Sequence, residues 1–202
     1  MAIKSTPSGH AARGREQTST ATGQQQGAVL SGVAGRLLAA LRIVMGFVFL
    51  WAFADKAFGF GYNTAGENAW INGGSPTTGY LSGADTGPFA GAFNAMAGAA
   101  WADWLFMIGL AGIGVALLLG VGMRLAAGAG AVMMLLMWAA DWPLARFTEA
   151  GDPTMSTNPL IQSNLVYALV IIVLAVVYAG HTWGLGRWWS ATTLVRRWRW
   201  LV

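Results

Sequence analysis

The chain has no cysteine and only two histidines, His10 and His181. Without cysteine there can be no disulfide, thiolate nucleophile, iron-sulfur cluster or cysteine-based zinc site. The histidines lie near opposite ends of the chain and have no carboxylate cluster around them, so we expect neither haem nor a tightly bound metal. There is also no glycine-rich dinucleotide-binding motif, so no flavin motif is evident.

Charged residues are scarce as well. They make up 10% of the 202 residues, whereas ordinary soluble domains have about 25%. Hydrophobic residues make up 55%. This balance predicts an integral protein of the cytoplasmic membrane whose main partner is the lipid bilayer, and it gives no reason to expect a nucleic-acid partner.

Four apolar runs are each suited to crossing a hydrocarbon core of roughly 30 Å. They cover about residues 37–58, 104–121, 125–140 and 159–180. We therefore predict an all-α fold, a four-helix transmembrane bundle within a domain of residues 37–182. The first run is expected to be a retained helix, not a cleaved signal peptide. Small residues such as Gly109, Gly112 and Ala116 predict close helix packing.

The segments between and beyond the spans differ in composition. Outer loops are predicted at 59–103 and 141–158, with short interfacial helices in the first, because Ser75-Pro76 and Thr86-Gly-Pro88 are typical helix starts. Residues 1–36 are predicted to be a disordered cytoplasmic tail, poor in apolar side chains over most of their length. Residues 183–202 mix tryptophan with arginine, which predicts an amphipathic interfacial segment.

The charges predict the orientation. Lysine and arginine are retained on the cytoplasmic side of short loops. Most basic residues fall on the side of the two termini, and most acidic residues fall in the two long loops. We therefore expect a multi-pass protein with both termini cytoplasmic.

Arg42 and Lys56 are the basic residues of the first span. They lie on one helical face, because the spacings between Arg42, Gly46, Phe49, Phe53 and Lys56 are four, three, four and three residues. An ionised side chain within an apolar run needs a partner, water or headgroups. Arg42 is thus a candidate binding residue, with snorkelling to the interface as the alternative, which is favoured more strongly for Lys56.

At their predicted outer ends the spans carry Asp55, Lys56, Asp103, Asp141 and Asn164. The candidates for contacts to a quinone or polar headgroup are Arg42, near the cytoplasmic end of the first span, and Lys56, Asp103, Asp141, Trp142 and Asn164 near the outer ends. Trp51, Trp101, Trp104 and Trp138 lie in the same layer as Trp142. An aromatic belt is the favoured interpretation of these tryptophans. The alternative is that several line an amphipathic slot suited to a flat, lipid-soluble molecule.

Several short motifs occur in an order that suggests a family. The first helix, with Arg42-Ile-Val-Met-Gly46 followed by Phe49 and Lys56, resembles the opening helix of the DoxX family of small membrane proteins. The segments Trp70–Pro76, Thr86–Phe89 and Trp104–Leu110 are similar to the DoxD-type branch. Asn158–Ile161 and Trp183–Trp188 extend the resemblance, which covers roughly residues 37–189.

The resemblance implies a redox function. DoxD-like proteins are the membrane subunit of a thiosulfate:quinone oxidoreductase and pair with a DoxA-like subunit. Whether this chain is part of an enzyme is left open, because it lacks cysteine, haem ligands and any dinucleotide-binding motif. The leading hypothesis is a quinone-binding subunit that leaves the sulfur chemistry to its partner.

Two other function classes remain open. The chain could be a scaffold that recruits soluble redox or stress proteins through its tail, or, less favoured, a small-molecule permease. Few buried polar residues and no evident inverted repeat count against the permease. Association of the chain with a second copy of itself is also left open.

Overall fold

The computed structural model describes residues 32–154 and 156–201. Most of the predicted N-terminal tail, residues 1–36, lies outside these residues, and its last residues belong to the first helix. The described part of the chain is all-helical and has no strand, apart from one isolated bridge between Phe147 and Pro153. The prediction of an all-α fold is confirmed.

The described residues form eight α-helices. They are α1 (Val33–Phe58), α2 (Thr78–Leu81), α3 (Ala90–Met96), α4 (Ala100–Leu119), α5 (Met123–Asp141), α6 (Ser163–Val176), α7 (Gly186–Ala191) and α8 (Thr193–Arg197). Short 3-10 helices cover Gly66–Asn68, Trp70–Asn72, Ala179–His181 and Arg199–Leu201. Only four of the elements are long enough to form the body of the protein.

Three of the long helices, α1, α4 and α5, have the length and apolar composition needed to cross a membrane. They make the chain a multi-pass membrane protein. The fourth, α6, is apolar but has 14 residues, which corresponds to about 21 Å of helix. It is therefore shorter than a hydrocarbon core of about 30 Å.

A side-chain turn explains where α6 starts, and a glycine in the left-handed conformation explains where α4 ends. Asn158 does not open a helix: its side-chain oxygen accepts hydrogen bonds from the amides of Leu160 and Ile161, both at 2.9 Å, and α6 begins at Ser163. This turn replaces the first helical turn that Asn158-Pro159 predicted. At the other end of the molecule α4 stops at Gly120, whose φ of 71° lies in the left-handed region.

The long helices pack side by side in sequence order around an apolar core. Helix α1 packs mainly on α4, α4 on α5 and α5 on α6, with fewer contacts between α1 and α6. The core includes Phe49, Met107, Leu117 and Ile171. We call the end where α1 and α5 finish the loop end, and the opposite end the tail end.

Helices α1 and α4 approach each other closely at Gly46 and Gly114. A methyl group on Gly114 would lie 2.9 Å from the amide nitrogen of Leu50, and one on Gly46 would lie 2.9 Å from the amide nitrogen of Leu118. Glycine thus allows the two backbones to meet. The predicted packing residue Gly112 instead faces open space.

Short elements cover both ends of the bundle. At the loop end, residues 59–99 hold α2, α3 and two 3-10 helices. At the tail end, the amide of Leu185 donates to the carbonyl of Leu119 at 2.8 Å, and the side chains of Val195 and Leu201 are buried. The C-terminal segment is therefore packed against the bundle while Trp183, Trp188, Trp198 and Trp200 stay more than half exposed.

Candidate functional site

Five of the six predicted candidates lie at the loop end, and Arg42 lies at the tail end. Its guanidinium is completely buried and donates to the carbonyls of Leu117 and Leu118 at the end of α4, and to that of Trp183 at 2.9 Å. The free carbonyls at a helix C-terminus carry partial negative charge, which suits a cation. Arg42 therefore joins α1, α4 and the segment after α6, and it does not belong to the loop-end site.

Asp103 and Asp55 hold the first long loop. The Asp103 carboxylate is buried and accepts hydrogen bonds from the Ser75 hydroxyl at 2.9 Å, the Thr77 hydroxyl at 2.6 Å and the Thr77 amide at 2.9 Å. Asp55, also buried, accepts from the amides of Tyr62 and Asn63. Both carboxylates thus fix the loop over the ends of the helices.

Asp141 connects the loop to the last long helix. It accepts a hydrogen bond from the Tyr80 hydroxyl at 2.7 Å and another from the Asn164 side-chain amide at 3.1 Å. Burial, together with the hydrogen bond to the Asp141 carboxylate, raises the pKa of the Tyr80 phenol well above its usual value. Tyr80 therefore stays neutral, and the three side chains form one polar cluster.

A cavity of about 790 Å³ opens beside this cluster. Its apolar wall is formed by Val48, Phe49, Ala52, Phe106, Leu110, Met134 and Met137. Its polar wall is formed by Lys56, Asn63, Thr64, Asn68, Ser75, Thr78, Tyr80, Asn164 and Tyr167. The volume lies within the range of small-molecule sites, about 300–1,000 Å³. The cavity can therefore hold a molecule with an apolar body and a polar end.

The two kinds of wall follow from the sequence. Phe49 and Ala52 lie on the face of α1 that also carries Lys56, one to two turns deeper in the bundle. The loop residues over the opening are rich in asparagine, threonine and glycine, because they connect helices at the surface. Apolar helix faces therefore meet a polar loop at one place.

The predicted candidates contribute to this cavity unequally. Lys56 and Asn164 line it, Asp141 supports it through Tyr80, and Asp103 supports it through Ser75. Trp142 ends α5 with a φ of 35° and packs on Gly87, outside the cavity wall. No tryptophan of the described ranges 32–154 and 156–201 lines the cavity.

The aromatic rings that line the cavity were not predicted as part of the site, although the spacing placed Phe49 on the same helical face as Lys56. They belong to Phe49, Phe106, Tyr80 and Tyr167. Tyr80 could have been noticed as a polar aromatic residue within the loop, but its contact with Asp141 connects residues far apart in the chain. No group of three or more acidic or histidine side chains that could hold a metal ion is present in the part of the chain that the structure describes.

The fold and the cavity together define a multi-pass helical membrane protein with a ligand-sized opening at one end of the bundle. Comparisons of the chain with protein-family models, with curated proteins and with solved structures found no match.

Proposed function

We propose that this protein is a quinone-binding membrane subunit of a redox complex. The observation that carries the proposal is the cavity at the loop end, where an apolar wall meets a polar one. Quinones have the matching form, since they combine a flat ring and an apolar chain with two carbonyl oxygens that accept hydrogen bonds. The proposal includes four membrane crossings, α6 being the last, with both termini cytoplasmic.

The cavity offers contacts for each part of a quinone. Phe49, Phe106 and Met137 can pack against the ring and chain, and such contacts gain from the removal of apolar surface from water. The side-chain amide of Asn68 and the ammonium of Lys56 can donate to a carbonyl oxygen. A quinone needs no metal for this binding.

Electrons must then come from another protein. The chain has no cysteine, and its sequence offers no evident site for a redox cofactor other than the quinone. A partner subunit would therefore carry the donor chemistry. The resemblance to DoxD-like proteins points to a DoxA-like partner and to thiosulfate or a related sulfur compound as the electron donor.

Ligand analysis of the purified chain tests quinone binding. The full chain is extracted in mild detergent and bound lipids are identified by mass spectrometry, with Ala52→Trp as the variant that fills the cavity. Ala129→Trp is the matched control, because Ala129 is exposed on α5. We expect quinone with the native chain and the control only. Equal quinone in all three proteins, or none in any, contradicts the proposal.

Turnover tests the redox function. Proteins that co-purify with the chain are identified, and the intact complex is given thiosulfate and a soluble quinone. We expect quinone reduction that depends on both subunits and that falls with Lys56→Ala. A quinone-containing complex that reduces no quinone with any sulfur donor, and that is unaffected by Lys56→Ala, rules out this function.

The C-terminal segment supports a second candidate, a scaffold that recruits soluble redox or stress proteins. Arg187, Arg196 and Arg197 are exposed beside the exposed tryptophans of this segment. Replacing the three arginines by glutamine keeps the buried Val195 and Leu201 that hold the segment in place. If the scaffold function is correct, pull-downs should lose soluble partners with this variant, whereas unchanged partners would exclude the arginines as the docking site.

A further inference from the structure

Lys56 is the charged residue of the cavity wall. It lies in the last turn of α1 and is half-buried at the opening. No hydrogen bond or ion pair of its ammonium occurs within the described ranges 32–154 and 156–201. A partly buried ammonium without a partner loses part of its hydration and forms no hydrogen bond with the protein in exchange. A ligand atom could supply the missing partner.

The nearby carboxylates are occupied by other donors. Asp55 precedes Lys56 in α1, but adjacent helical positions point in different directions. Its two oxygens accept from the loop amides of Tyr62 and Asn63. It reduces the local positive charge but does not occupy the cavity wall.

The other two carboxylates are held in the same manner. Asp103 accepts from Ser75 and Thr77, and Asp141 accepts from Tyr80 and Asn164. Neither contributes to the cavity wall as the described residues define it. Along the wall that the described residues form, a ligand therefore meets one cation and neutral side chains but no carboxylate.

We propose that the cavity prefers an amphipathic anion, whose negatively charged oxygen pairs with Lys56 while its apolar body lies against Phe49, Phe106 and Met137. This inference rests on the proposed function in that it concerns the same cavity. It adds that the polar end of the ligand carries a charge. An acidic hydroxyquinone and a long-chain carboxylate share this chemistry.

The physical basis is the strength of a charge-assisted hydrogen bond. A bond between an ammonium and an anionic oxygen is about twice as strong as one between neutral groups. Asparagine side chains of the same polar wall, those of Asn63 and Asn68, can donate further hydrogen bonds to the polar end of the ligand. A neutral carbonyl oxygen at this position would gain less from Lys56.

Matched ligand pairs test the preference. The full chain in phosphatidylcholine nanodiscs is titrated with an alkyl-hydroxynaphthoquinone that is ionised at neutral pH, and with the same molecule lacking the ring hydroxyl. A second pair is dodecanoate and dodecanol. We expect the anion of at least one pair to bind on the order of tenfold more tightly than its neutral counterpart. The pair that shows the preference identifies the source of the anion.

Variants then assign the preference to Lys56. Lys56→Gln should bring the ratio of the two affinities close to one, Lys56→Arg should keep it, and Arg146→Gln, in an exposed loop, should leave it unchanged. Thermal unfolding without ligand shows whether Lys56→Gln is folded. If it is not folded, two other measurements test the inference. Loss of the anion preference in Lys56→Arg contradicts it, because that variant keeps the positive charge. Failure of the anion to displace the quinone that Ala52→Trp excludes contradicts it as well, because both ligands should occupy the same cavity.

The outcomes separate this inference from the proposed function. If neutral quinone binds in an Ala52→Trp-sensitive manner but neither anion binds more tightly, the anion preference is wrong and quinone binding stands. If the preference persists in Lys56→Gln, Lys56 is not its source and the inference also fails. If no quinone and no anion binds, both the inference and the proposed function fail.

Discussion

Two buried charged side chains, those of Arg42 and Asp103, connect segments of the backbone that are distant in the chain. Arg42 is the clearest case, because it joins the end of α4 to the segment that follows α6. The position of Arg42 within an apolar run predicted that it needs a partner, and the partners are carbonyl groups. A single sequence could not show this, because the carbonyls belong to residues about 75 and 141 positions away.

Replacement of Arg42 should therefore destabilise the fold. Arg42→Met removes the donor to the buried carbonyl of Leu117 and to the partly buried carbonyls of Leu118 and Trp183. We expect a loss on the order of 3 kcal/mol, measured as a lower unfolding midpoint in detergent. Arg36→Gln is the control, because Arg36 is exposed on the same helix. Equal midpoints for the native chain and Arg42→Met would contradict the role of Arg42.

Tyr80 should make the stability of the protein depend on alkaline pH. Its pKa is raised in the folded protein, mainly by burial, whereas an unfolded tyrosine ionises near pH 10. The folded state therefore holds this proton more tightly, and its contribution to stability is present below about pH 10 and is lost as the pH rises further. We expect the unfolding midpoint to fall between about pH 10 and pH 12.

Tyr80→Phe removes the titrating group and should make that fall smaller. Tyr62→Phe should not change it, because Tyr62 is 79% exposed. The measurement is the unfolding midpoint as a function of pH for the three proteins. Identical pH dependence in all of them would show that Tyr80 does not titrate with unfolding.

At the scale of helices, the close packing of α1 against α4 depends on Gly46 and Gly114. In α4, Gly114 contacts the backbone of α1 at Leu50, whereas Gly112 faces open space. Gly114→Ala should force the helices apart and cost about 1–3 kcal/mol. Gly112→Ala should be neutral or slightly stabilising, because alanine favours helix. Unfolding midpoints in detergent compare the two, and equal effects would place the α1–α4 contact elsewhere.

The helices themselves were largely predictable, and their partners were not. Apolar length located α1, α4 and α5, because crossing a membrane imposes a minimum length on a helix. Helix α6 was predicted to start at residue 159, but the side chain of Asn158 forms a turn there. Gly114 contacts α1 and Gly112 does not, because of the way α4 is rotated about its axis. A pattern of small residues does not reveal that rotation.

For the whole molecule, the sequence predicted that Lys56, Asp103, Asp141 and Asn164 lie at one end of the protein. It could do so because each lies near the end of an apolar run, and the alternation of spans brings those ends together. It could not determine which side chains face the cavity. That depends on the path of residues 59–99, whose contacts with Asp103 and Asp141 place Ser75 and Tyr80 in its wall.

The course of the chain through the membrane depends on α6. Its length of about 21 Å is short for a bilayer, and local thinning could accommodate it. If α6 crosses, the loop of residues 143–158 and the tail of residues 183–201 lie on opposite sides. If it does not, they lie on the same side. The absence of cysteine makes this testable, because any introduced cysteine is the only thiol of the chain.

Ala150→Cys and Ala191→Cys place single thiols in the exposed loop and the exposed tail. With a membrane-impermeant maleimide, we expect Ala150→Cys to react in intact cells and Ala191→Cys to react only after permeabilisation. Ala129→Cys, on the exposed face of α5, should react in neither condition, because that face would contact lipid. Labelling of loop and tail under the same condition would mean that α6 stays on one side, whereas the reverse pattern would invert the orientation that the arginines of the tail predict.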